Sequence, residues 1–168
     1  MRRSAALLMT LMIFAAGCGD TSPKDEASGM TDMTDMGGHD EASFSFGMPA
    51  EPAEATRTID IETQDTLMFQ PANLEIAVGE VVTLRVTNGG KITHDFTLGD
   101  AAVQADHDAE MASMDGGMTM ADEPNGFLIP AGQTKELTWR FDTAGTVIYG
   151  CHVPGHYAAG MRGDITVA

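Results

Sequence analysis

The chain has 168 residues, enough for one domain with extensions rather than two full domains. Its formal net charge of -16 excludes a phosphate-binding surface, which needs clustered Lys and Arg. One Trp and two Tyr offer no stacking platform for single-stranded nucleic acid, so no nucleic-acid partner is expected; the acidic surface favours solubility, cation capture and a basic partner.

At the N-terminus, Arg2 and Arg3 precede an apolar stretch over 5–16, the length of a signal-peptide core and too short to span a bilayer. Ala15-Ala16-Gly17-Cys18 is similar to a bacterial lipobox, although lipoboxes usually carry Leu where Ala15 stands. Residues 1–17 therefore read as a removed export signal and Cys18 as a lipidated membrane anchor, placing the rest outside the cytoplasm. Ordinary cleavage after a small residue is the alternative. With Cys18 spoken for, Cys151 is the remaining thiol in an oxidising compartment, and an unpaired thiol there calls for a reason, usually a metal. A Cys18–Cys151 disulfide is the competing reading.

Residues 18–55 are rich in Asp, Glu, Gly, Ser, Thr and Pro, and read as a disordered tether unable to bury enough surface to offset ordering entropy. The ordered domain is expected over 56–168. Ile59 and Ile61, then Leu74, Ile76 and Val78, then Val82, Leu84 and Val86 alternate with polar residues, and Asn88-Gly89-Gly90 supplies turn chemistry. A short strand is expected over 93–98. The alternation then stops, leaving a polar insert at about 100–125 with at most a helical turn or two over 101–114. Strand signals resume at Phe127-Leu128-Ile129, at Leu137, Trp139 and Phe141, over 146–151 and over 163–167. Seven or eight short strands of period two indicate an all-β sandwich or barrel.

Cys151, His156 and Met161 are evenly spaced, with Pro154, Gly155 and Gly160 between them to shape a tight loop. A thiolate, two imidazoles and a weak axial thioether together suit a copper ion that cycles between Cu(I) and Cu(II). The second imidazole must come from elsewhere, and His94, after the 88–91 turn, is the leading candidate. His39 and His107 fall in segments read as flexible, and His152 should point away from Cys151 if strand alternation persists. Core packing by Cys151 and Met161, a zinc site, and nucleophilic chemistry at Cys151 are the alternatives weighed against copper.

Met68-Phe69-Gln70-Pro71, Val78-Gly79-Glu80, the Asn88 to Phe96 segment with its Asn-x-Gly-Lys-x-x-His-acid-Phe pattern, Pro130-Ala131-Gly132 and the Cys151 to Met161 loop together resemble the plastocyanin/azurin family. The resemblance spans about 110 residues and implies a Greek-key cupredoxin β-sandwich, non-enzymatic one-electron chemistry with a redox partner, and a single type 1 copper. It also implies His94, Cys151 and His156 as equatorial ligands and Met161 as the axial one. Asp95 stands where many electron-carrying relatives have Asn, so copper handling is the alternative function. Met30, Met33, Met36 and Met48 in the tether and Met111, Met114, Met118 and Met120 in the insert are a candidate second means of copper capture. A monomer is expected.

Overall fold

Period-two burial organises the chain into strands, seen in a computed structural model that describes residues 43–113 and 122–168. The readings for 1–42 (export signal, Cys18 anchor, His39, the first three tether methionines) and for Met114, Met118 and Met120 lie outside the described residues. In chain order the strands are β1 (Met48–Pro49), β2 (Arg57–Gln64), β3 (Met68–Gln70), β4 (Asn73–Ile76), β5 (Glu80–Asn88) and β6 (His94–Gly99). After the helix α1 (Ala101–Ser113) come β7 (Gly126–Ile129), β8 (Thr134–Phe141), β9 (Gly145–Gly150) and β10 (Arg162–Val167).

Two five-stranded sheets result, ordered β1-β8-β5-β2-β3 and β4-β10-β9-β6-β7. Most pairs are antiparallel, while β2–β5 and β4–β10 run parallel through crossovers, giving the expected all-β Greek-key sandwich. Leu84, Val86, Leu137, Trp139 and Phe141 of one sheet meet Phe96, Leu98, Val147, Tyr149 and Ile165 of the other in one core. Each contributes from alternate positions, because successive strand side chains point to opposite faces.

Ten strands form among the described residues, where sequence alternation indicates seven or eight. The two additional ones, β1 and β3, have two and three residues, too few for a period of two to register. The boundary between tether and domain also shifts. Phe46 is buried in the core, and the Phe44 and Phe46 rings each lie 5.3 Å from the Trp139 ring. β1 pairs with β8 through Met48↔Arg140 and Pro49↔Trp139. Gly47 makes this possible: with φ of 135° its backbone presses on the Arg140 carbonyl, where a Cβ would collide. Two phenylalanines are invisible in the average composition of 18–55, yet they anchor its C-terminal end.

The polar insert holds a further correction. Instead of a turn or two, α1 runs for 13 residues. Asp100 caps it, its Oδ1 accepting from the backbone N–H groups of Ala102 (2.9 Å) and Val103 (3.0 Å). Its inward residues are Gln104, His107 and Met111, spaced i, i+3 and i+7 as on any packed helix face. Two of the three are polar, so hydropathy does not reveal the face. His107, read as lying in a flexible segment, is buried.

Truncating Phe46 to Ala should lower the unfolding free energy by about 3 kcal/mol, the usual cost of emptying a buried aromatic site. Chemical denaturation measures this; a loss under about 0.5 kcal/mol, the range of neutral surface changes, would place 43–47 outside the domain.

Candidate metal centre

β6 and β9 are hydrogen-bonded neighbours, in register at Thr97↔Gly150 and Leu98↔Tyr149. His94 opens β6 and Cys151 directly follows β9, so antiparallel pairing brings both to the same end of the sheet. Strand alternation puts Cys151 on the core side with Val147 and Tyr149, and turns His152 to the other face, as expected.

The loop from Cys151 to Met161 folds back on itself. The His156 N–H donates to the Val153 carbonyl (2.8 Å), the Met161 N–H to the His156 carbonyl (3.0 Å), and the Cys151 N–H to the Met161 carbonyl (3.1 Å). Gly155 and Gly160 have φ of 87° and 95°, left-handed conformations that side chains disfavour. Met161 is fully buried in the same cluster as Cys151.

Three donor atoms converge. Cys151 Sγ lies 3.3 Å from His156 Nδ1 and 3.8 Å from His94 Nδ1, and one potential ligand atom from each residue falls within 4.8 Å of the others. His94 and Cys151 are buried, and His156 is partly exposed. One sulfur and two imidazoles set this close can turn their lone pairs toward a single metal ion, and His94 Nε2 is buried without a hydrogen-bond partner. The set of one sulfur and two imidazoles fits a soft or borderline ion.

Burial sets the protonation states. It pushes the Cys151 thiol up to about 12, and it holds His156 and His94 below the usual imidazole value, with His156 adding to the effect at His94. The protein alone thus presents two neutral imidazoles around a protonated thiol, and metal uptake must expel the thiol proton.

The surroundings are built to hold these groups. Buried Asn88 donates from Nδ2 to the carbonyls of Ile92 (2.7 Å) and Ile129 (2.9 Å), while its Oδ1 accepts from the Gly90 N–H (2.9 Å). Asp65 Oδ1 accepts from the N–H groups of Lys91 (2.8 Å) and Ile92 (3.2 Å), which lowers its pKa, and it sits 4.0 Å from His94 Nε2. The Asp95 N–H donates to Cys151 Sγ at 3.3 Å, and Asp95 Oδ2 accepts from the His152 N–H at 3.1 Å. Asp95, at the position where many electron-carrying relatives have Asn, ties the two ligand-bearing segments together.

Sequence reading missed Asp65, Gln104 and His107. Asp65 lies far from the ligands in sequence and carries no motif; the other two belong to the helix hidden in the insert. Asn88 was legible only as a turn former. His107 Nε2 is 3.1 Å from Asp95 Oδ2, and because the carboxylate only accepts, the imidazole donates.

Burial opposes a charge on His107, but the Asp95 hydrogen bond and carboxylate, with Glu123 and Glu110, outweigh it and raise the pKa above 6.5. His152 also faces the ring, at 5.0 Å between centroids. A raised folded-state value means the pair stabilises fully below the unfolded value and loses that contribution as pH rises through the folded one. For metal-free protein, the melting-temperature gap between wild type and His107→Met should narrow from about pH 5.5 to about pH 8.5. A gap independent of pH would contradict the pairing.

Residues 55–168 match the family model described as "Copper binding proteins, plastocyanin/azurin family". The chain is 38% identical over 150 residues to "Copper-resistant cuproprotein CopI" of Pseudomonas aeruginosa, covering 73% of this chain and 82% of that relative. It is 35% identical to the protein of the same name from Rubrivivax gelatinosus, over 96% of this chain and 94% of the relative. Among solved structures, auracyanin A, titled a "blue" copper protein from Chloroflexus aurantiacus, aligns with TM-score 0.55 and 30% identity, over 66% of this chain and 98% of that one.

Proposed function

The chain belongs to the plastocyanin/azurin family of copper-binding proteins, and on that premise we propose that it holds one copper ion and serves copper tolerance outside the cytoplasm. The observation that carries the site is the convergence of Cys151 Sγ with one ring nitrogen each from His94 and His156, all within 4.8 Å of one another. Those three would be the equatorial ligands, with buried Met161 as the weak axial thioether. Bound copper would shuttle between Cu(I) and Cu(II). The chain's own part is to keep both imidazoles neutral, to hold the sulfur with the Asp95 N–H, and to bury the ligand set except at His156.

The two CopI relatives, named for copper resistance, support copper handling as the purpose. An export signal, a lipid anchor at Cys18 and a non-enzymatic role belong to the same reading. No helix among the described residues is long and apolar enough to cross a membrane. One-electron transfer to a basic redox partner is the second reading. It is favoured by the preassembled, largely buried donor set and by the likeness to auracyanin A, and its association with a partner would weaken as salt rises.

Copper-loaded protein should show an intense thiolate-to-copper absorption band that Cys151→Ser abolishes; a band surviving that substitution would overturn the site. Release of Cu(I) to a competing chelator then separates the two purposes. Ready release supports copper handling, and retention with reversible voltammetry supports electron transfer.

A further inference from the structure

The outer face of the β6–β9 pair carries Asp95, Thr97 and His152, polar groups that a solvent-facing sheet would leave wet. All three are buried here, because α1 lies over them. The helix comes unusually close. Gly150 has no side chain where a Cβ would stand 2.5 Å from Gln104 Oε1, and at Gly99 a Cβ would collide with Val103.

Gln104, 1% exposed, reaches both strands at once. Its Nε2 donates to the Thr97 carbonyl of β6 (2.9 Å) and the Ile148 carbonyl of β9 (3.0 Å). Its Oε1 is then left as an acceptor, 2.7 Å from His152 Nε2, which must donate. One turn further on, His107 donates to Asp95 Oδ2. That same carboxylate accepts from the His152 N–H, and the Thr97 hydroxyl donates to it at 3.2 Å. Asp95 directly follows His94, and His152 directly follows Cys151. The helix therefore grips the chain neighbours of two of the ligands, His94 and Cys151, and the Asp95 N–H passes that grip to Cys151 Sγ.

We propose that α1 is a brace for the copper ligands, with Gln104 and His107 as positioning residues that set how His94 and Cys151 face the metal. This rests on the copper reading above. Neither residue makes a hydrogen bond to a ligand side chain. Both act through backbone carbonyls, Asp95 and His152, and outer partners of this kind orient ligands and tune a metal's affinity. A fold-stabilising role alone would not require the helix to hold the two residues adjoining the ligands. Contacts on the sheet's outer face anywhere along β6 and β9 would then serve equally.

The test uses copper-loaded full-length chain carrying His107→Met, Gln104→Met, His107→Asn or His107→Gln. His107→Met fills the space without a donor, His107→Asn stays polar but falls short of Asp95, and His107→Gln keeps a donor of suitable reach. Val167→Ala, buried where β10 pairs with Gly145, is a destabilised control away from the site. Electronic absorption, electron paramagnetic resonance and copper loss to a chelator are measured beside the melting temperature. Both Met variants and His107→Asn should alter the thiolate-to-copper band pattern and speed copper loss by about 10–100-fold. His107→Gln should return most of both, and Val167→Ala should lower the melting temperature with no spectral change. Should a Met variant fail to fold, His107→Asn against His107→Gln carries the comparison. Wild-type spectra and release rates in the folded helix variants, or equal changes in Val167→Ala, would overturn the brace. Wild type lacking the band would instead sink the copper reading.

Discussion

The site depends on the position of one sulfur atom. Cys151 lies wholly inside the sandwich, where an unbalanced thiolate would be costly, and burial raises the pKa of its thiol further above physiological pH. A thiolate there requires a cation beside it, and a metal ion held by the sulfur and both neutral imidazoles would supply that charge in place of the proton. Two imidazoles that the same burial holds below their usual value complete the donor set. Burial, often a penalty for polar groups, is here what prepares all three ligands.

Once the sulfur is fixed, the fold supplies the remaining geometry with few parts. Antiparallel pairing of β6 with β9 brings His94 to Cys151, although 57 residues separate them. A tight loop with two left-handed glycines brings His156 and Met161 back from the same strand end. Asn88 and Asp65 hold the loop that delivers His94. The two packed sheets hold the strand ends from which these donors project, so His94, Cys151 and His156 already lie together without a metal.

Much of this was legible in the sequence, for physical reasons. In β5 and β8 the core face carries Val82, Leu84, Val86 and Leu137, Trp139, Phe141, which show the period of two directly even though Val81, Thr83 and Thr138 between them are also buried. The 151–161 loop concentrates three chemically distinctive residues between glycines, and the turn at Asn88 points to His94. The helix was not legible because two of its three inward residues, Gln104 and His107, are polar. The packing of Phe44 and Phe46 against Trp139 is a tertiary contact more than ninety residues distant, so local composition assigned them to a tether. Asp65 was missed for a similar reason: its partners, Lys91 and Ile92, are backbone groups of a remote loop.

X-ray absorption at the copper edge of the loaded protein tests the sulfur's role most directly. A single short copper–sulfur distance with two imidazole nitrogens, the sulfur contribution vanishing in Cys151→Ser, is the predicted result. Copper surrounded by nitrogen and oxygen alone in the wild-type chain would contradict the account.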